Sequence, residues 1–180
     1  DNFSFRSDRT AEQQDLFINY QPALTKQHTY NLLATLYPYA TQPNGETALQ
    51  GDVIYNFKKG SILGGKYGTG IQLNAAFAFD IQKDSLDPLL DAQRNIYTTK
   101  YFETGQRYFR DLNIQINKKL NKKFKMILTY SNLLYNQAVI EGKPPETPII
   151  TAHIGVVEGT YKFNMRNSIR FEAQVLKTKQ

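Results

Sequence analysis

The chain contains no cysteine and no tryptophan among its 180 residues. Without cysteine there is no disulfide framework, no zinc-thiolate site and no thiol nucleophile. Long apolar runs are also missing. The longest is Ala75 to Phe79, far short of the roughly 20 residues a membrane helix needs, which excludes a helical membrane span. No helical periodicity of useful length occurs; Ser85 to Arg94 is the one stretch that fits a short helix within a loop. What the chain has in quantity is tyrosine and phenylalanine, twelve and eleven, too much apolar surface for a disordered polymer. Basic residues exceed acidic ones, 22 to 16, a balance that raises anionic partners as a question.

A period of two dominates. In Ile71 to Gln82, Ile71, Leu73, Ala75, Phe77, Phe79 and Ile81 alternate with Gln72, Asn74, Ala76, Ala78, Asp80 and Gln82. Successive strand side chains point to opposite faces, so one wall is apolar and the other polar. Leu49 to Phe57, Leu112 to Ile116 and Ile169 to Val175 repeat the pattern. Weaker versions occur at Leu16/Ile18/Tyr20, Tyr30/Leu32/Ala34/Leu36, Phe124/Met126/Leu128/Tyr130 and Ile150/Ala152/Ile154/Val156, with an ambiguous phase near Val157 to Gly159. The sequence thus predicts an all-β, antiparallel up-and-down meander of about eight strands in one unit, residues 1–180, with no internal domain boundary.

Short and long connections alternate. Tight turns fall around Pro22 to Gln27, Lys58 to Lys66, Lys118 to Lys123 and Lys162 to Asn167, and long loops at Pro38 to Thr47, Lys83 to Arg107 and Tyr135 to Pro148. Two-faced strands can hide their apolar face inside a soluble sandwich or turn it outward to lipid in a barrel. Three features favour the barrel. The polar wall is rich in Asn, Gln, Asp, Ser and Thr rather than Lys and Glu. Aromatics gather at both strand ends. Short turns at one end and long loops at the other match the periplasmic and extracellular asymmetry of outer-membrane barrels. In that orientation both chain ends would be extracellular, as expected of an internal stretch of a longer barrel.

The stretch Asn19 to Glu46 (NYQPALTKQHTYNLLATLYPYATQPNGE), with Tyr55 to Gly60 (YNFKKG) and Gly64 to Thr69 (GGKYGT), resembles an uncharacterised family of outer-membrane β-barrel proteins of Bacteroidota, a domain of unknown function. The resemblance implies export and outer-membrane insertion. It implies no catalytic or binding residues.

Motifs of chemistry are weak. Gly60 to Lys66 (GSILGGK) approaches a phosphate loop, but Tyr67 stands where the magnesium-holding hydroxyl belongs, and a strand rather than a helix follows. His28 and His153 are far apart and lack a carboxylate motif, so no metal or other cofactor is expected. No serine occupies a nucleophile elbow. The expectation is a non-enzymatic protein of the bacterial outer membrane, porin-like or scaffolding, with membrane lipid and other surface proteins as partners and no nucleic acid. Its alternative is a secreted soluble β-sandwich or barrel that binds carbohydrate or protein through its loops. Candidate lumen-facing residues are Asp52, Asn74, Asp80, Asp111, Asn113, His153, Arg170 and Glu172. Candidate membrane-edge cations are Lys58, Lys59, Lys118, Lys119, Lys122, Lys123, Lys162 and Arg166. The four short-turn windows, extended to Gln21–His28 and Lys118–Lys125, hold eleven of the cations and none of the acids. A lysine collar beside aromatics suits an anionic headgroup layer.

Overall fold

The computed structural model describes residues 24–40, 42, 45–85 and 97–179. They form one antiparallel meander: β1 (Thr47–Phe57), β2 (Thr69–Ser85), β3 (Tyr97–Lys119), β4 (Phe124–Tyr135), β5 (Ile150–Lys162) and β6 (Ser168–Lys179), each hydrogen-bonded to the next in chain order. The sheet is open, and its strands number six where the periodicity predicted eight. Two elements account for the difference. Leu16, Ile18 and Tyr20 lie outside the described residues. Tyr30 to Leu36, read as a strand, instead carries a short helix, α1 (Asn31–Thr35). Adjacent Leu32 and Leu33 already break strict alternation, and Leu and Ala are good helix formers. The segment adds no strand to the sheet: the Leu32 N–H donates to Gln174 Oε1 on β6 at 3.0 Å, and Thr35 Oγ1 donates to the Asn31 carbonyl at 2.6 Å. The Ser85–Arg94 stretch falls almost wholly outside the described residues. The loop expected to run to Arg107 gives way to strand from Tyr97 onward.

The pairing register sorts every side chain onto one of two faces, because directly opposed residues share a face. Asp52, Asn74, Asn113, Ser131, Ile154 and Leu176 form one continuous row. Residues 24–40 lie against this covered face. Leu133, Ile154 and Val156 are fully buried there, and Tyr30, Phe109, Tyr135, Ile150 and Ala152 join them in one core. Tyr37 packs on Tyr135 with ring centroids 5.4 Å apart, and Tyr39 stacks on Phe109 at 4.9 Å. Register shifts in β2–β3 around Phe79 let consecutive Tyr108 and Phe109 both enter the core, which unbroken alternation forbids.

The other face is open. Leu73, Leu112, Tyr130, Val157, Ile169, Phe171 and Val175 are exposed on it, with Leu73 at 44%. Ile71, Phe77 and Phe79 are half-buried on the same side. The sheet therefore keeps much of its apolar wall outside and much of its polar wall inside.

The short connections all fall at one end of the sheet. The β1–β2 turn is glycine-built: Gly60 and Gly65 take positive φ, 85° and 60°, and Gly60 N–H donates to the Gly65 carbonyl at 2.7 Å. At the other end, α2 (Gln137–Ile140) follows β4, capped by Asn136, whose side chain accepts from the Val139 N–H. Among the described residues no helix is long and apolar enough to cross a membrane.

Candidate functional site

The polar part of the covered face and the segment crossing it form the most organised polar cluster in the fold. The segment reaches across four strands. Lys26 Nζ donates to Asn113 Oδ1 on β3 at 3.0 Å. His28 Nε2 meets Asp111 Oδ2, also on β3, at 2.5 Å. The Tyr30 hydroxyl donates to Glu158 Oε2 on β5 at 3.2 Å, and the Leu32 N–H donates to Gln174 Oε1 on β6 at 3.0 Å. Ser131 Oγ on β4 donates to the second Asp111 oxygen at 2.6 Å. Asp111 is 1% exposed and owes its burial to these partners. Glu158 in turn accepts from Arg170 Nη2 at 2.9 Å, and Arg170 also bridges Glu172 at 2.8 Å.

His28, Asp111 and Ser131 are the residue types of a hydrolase triad, but the carboxylate stands in the middle. The serine proton goes to Asp111 and not to the imidazole, which is not the order of the Ser-His-Asp triad. The cluster is built to fasten the segment to the sheet. A cleft of about 350 Å³ lies beside it, lined by Thr25, Lys26, His28, Tyr37, Tyr39 and Phe109 among others.

Asp52, Asn74, Asp111, Asn113, Arg170 and Glu172 share the covered face. Asn74 and Asn113 oppose each other directly. Each leaves one buried polar atom with no partner among the described residues, Oδ1 of Asn74 and Nδ2 of Asn113. Asp80 lies within the bulged stretch, where its Cβ comes so close that a Cβ built on Gly105 would meet it at 2.9 Å. His153 is a correction. It pairs with Asn132, one residue out of phase with Ser131 and Ile154, and so stands exposed on the open face. The apolar set Ile150, Ala152, Ile154 and Val156 takes the covered face of β5, because Tyr30, Leu133 and Tyr135 build the core there. Lys26, grouped by sequence with the turn cations, is on the covered face as well.

Of the eight turn-end cations, Lys118 is half-buried, and Lys58, Lys59, Lys119, Lys122, Lys123, Lys162 and Arg166 are exposed. The three hairpins bring all eight to one end of the sheet. Ile62, Leu63, Leu120, Phe163 and Met165 stand exposed among them, Ile62 and Met165 completely. At the opposite end Lys143 bridges Glu141 at 2.8 Å and is the main reason that its carboxyl sits below the usual range. Among the described residues no three of His, Asp and Glu gather to hold a metal.

His28, Tyr30, Ser131, Glu158 and Gln174 had no signal in the sequence as a site. Their partners are up to 142 residues away, and only the sheet register brings them together.

The fold defines the class: a single antiparallel meander of six strands among the described residues, with one face covered and the other open. The whole chain, residues 1–180, matches a family of unknown function (DUF6029), and it belongs to that family. The family description names neither a cellular location nor a lineage. No curated protein and no solved structure matches the chain.

Proposed function

We propose that the chain is part of an integral outer-membrane β-barrel, with its open face toward lipid and its covered face lining an interior filled by Leu24–Tyr39. The observation that carries this reading is the sorting of the two faces. In the paired stretches of β1 and β3–β6, and in β2 up to Phe79, the open face carries no Asp or Glu and leaves Leu73, Val157 and Val175 exposed. Asp111, Asn113 and Ser131 are buried on the opposite side. A soluble sheet does the reverse. The unpartnered amide atoms of Asn74 and Asn113 suit a wet interior, where water satisfies such groups. The turn end, with exposed lysines among exposed Ile62, Phe163 and Met165, has the composition of a bilayer edge.

On this reading the interior is occupied, which favours a closed scaffold over an open porin. The long loops at the far end are then the surface available to other envelope proteins. The role is non-enzymatic, with membrane lipid as the standing partner.

The lack of native cysteine makes the test direct. Leu73→Cys, Val175→Cys and Asn121→Cys each accept one fluorophore in the full chain reconstituted in vesicles. Brominated acyl chains are expected to quench the probes at 73 and 175 and spare the one at 121. Quenching of 73 and 175 by aqueous iodide instead would favour the soluble sandwich. Planar-bilayer conductance of the same protein is expected to stay near the lipid baseline.

A further inference from the structure

The open face changes character along the strands. Across the middle of β3–β6 it carries an apolar groove of about 300 Å³, lined by Ile114, Leu128, Tyr130, Gly155, Ala173 and Val175 among others. The groove exists because β5 and β6 offer Gly155 and Ala173 between larger neighbours. Moving toward the loop end, the next row of paired residues is Leu112, Asn132, His153 and Lys177, and the row after that is Arg110, Leu134, Thr151 and Lys179. Each row lies about 7 Å beyond the last at the rise of an extended strand. The groove therefore runs directly into a basic patch.

Hydrogen bonding arms that patch as a donor site. Arg110 Nη2 donates to Asn132 Oδ1 at 2.5 Å. The Asn132 amide nitrogen, which can only donate, faces His153 Nδ1 at 3.3 Å, and the Tyr130 hydroxyl meets the same nitrogen at 2.8 Å. His153 Nδ1 is thus the acceptor and Nε2 carries the proton, pointing a spare N–H away from the network. Arg110 Nε is buried with no partner among the described residues. Lys177 and Lys179 are exposed, and among the described residues no carboxylate pairs with Arg110, Lys177 or Lys179. Three cations and an imidazole N–H without a counter-anion, at the end of an acyl-sized groove, match one ligand chemistry.

We propose that this face binds an acyl lipid with a phosphorylated headgroup, its phosphate on Arg110, His153 and Lys177 and one acyl chain in the groove over Gly155 and Ala173. Arg offers two parallel N–H donors to phosphate oxygens, while Lys adds a mobile point charge. The site rests on the proposal that the open face meets lipid, and it adds which lipid and where. It is separate from the turn collar, which lies at the other end of the sheet.

The test uses the full chain in phosphatidylcholine vesicles doped with phosphatidic acid, washed at high ionic strength to screen the collar, then extracted for native mass spectrometry. Wild type is expected to retain phosphatidic acid over phosphatidylcholine. Lys177→Gln with Arg110→Gln, and separately Ala173→Phe, are each expected to cut retention about tenfold, whereas Lys122→Gln with Lys123→Gln leaves it unchanged. Lys177→Gln alone, at an exposed position, covers the case in which loss of Arg110 prevents folding, and a severalfold loss is expected of it. Equal retention of the two lipids, or retention unaffected by the Lys177 and Ala173 variants, would overturn the site while leaving insertion intact. Complete displacement of the lipid by inorganic phosphate would overturn the acyl half. Failure of wild type to float with any vesicle would instead overturn the membrane reading itself, and the site with it.

Discussion

His28 Nε2 lies 2.5 Å from Asp111 Oδ2, although 83 residues separate them. This contact joins the segment before β1 to the middle of the sheet, with both side chains nearly out of solvent. Removing His28 leaves buried Asp111 with the Ser131 hydroxyl still donating to it but one carboxylate oxygen stripped of its partner. His28→Ala is expected to weaken the segment's attachment by about 3 kcal/mol, roughly a hundredfold in local opening. Hydrogen exchange over residues 24–40 reads it directly. Asp111→Asn should cost less, because the amide still accepts from Ser131. Unchanged protection in His28→Ala would show that aromatic packing alone holds the segment.

Tyr39 stacks on Phe109 and donates to Glu46. Burial above all, and then the carboxylate it bonds, hold its phenol well above the ordinary value of 10.0. The folded state therefore favours the neutral phenol. Its contribution to stability is complete below about pH 10 and is lost as pH rises through the raised value. The late part of a phenolate absorbance titration is expected to shrink in Tyr39→Phe. A variant that titrates like wild type would place that part on another tyrosine.

Neighbouring glycines in the β1–β2 turn should respond differently to alanine. A Cβ on Gly64 would meet the Lys58 carbonyl oxygen at 2.0 Å, a backbone contact that cannot rotate away. A Cβ on Gly65 would enter open space, and only its positive φ resists. Gly65→Ala is expected to cost about 1 kcal/mol, and Gly64→Ala at least about 2 kcal/mol through forced turn rearrangement. Equilibrium denaturation ranks them, and the reverse order would mean that the turn has another backbone path.

Leu73 tests which medium the open face meets. In a bilayer, Leu73→Arg is expected to cost about 2–4 kcal/mol near the midplane. In water a charge at this 44%-exposed position is expected to change stability by less than about 0.5 kcal/mol. Unfolding of the variant in vesicles and in aqueous buffer separates the two.

β2, β6 and the Leu112–Ile116 part of β3 were readable because their polar and apolar residues alternate cleanly, whereas Tyr97 to Arg107 of β3 was expected as loop. β5 was read with Ile150, Ala152, Ile154 and Val156 on one face, as the structure has them, but Val156 and Val157 put apolar side chains on both faces and periodicity alone cannot say which face is covered. That is why His153 was expected among the lumen-facing polar residues and stands exposed on the open face. The α1 stretch misled for a related reason. Tyr30, Leu32 and Leu36 fit an extended pattern locally, but a strand needs a neighbour, and the sheet runs from β1 to β6 without including this segment. The bulges around Phe79 shift the register with no residue type to announce them.

The sequence by itself determined that the chain is all-β and two-faced, that its turns are basic and short at one end, and that no thiol or helical-membrane chemistry is available to it. Those properties follow from side-chain period and composition, which are local. The scarcity of acid around its turns was likewise visible before any fold, so the excess of basic over acidic residues already read as a collar. Only the tertiary structure decided which face is covered, what covers it and which charges meet. Those depend on strand register and on contacts between residues up to 142 positions apart. A shift of one residue in register exchanges the two faces, so the latch at Asp111 and the basic row at His153 exist only once every strand has found its partner.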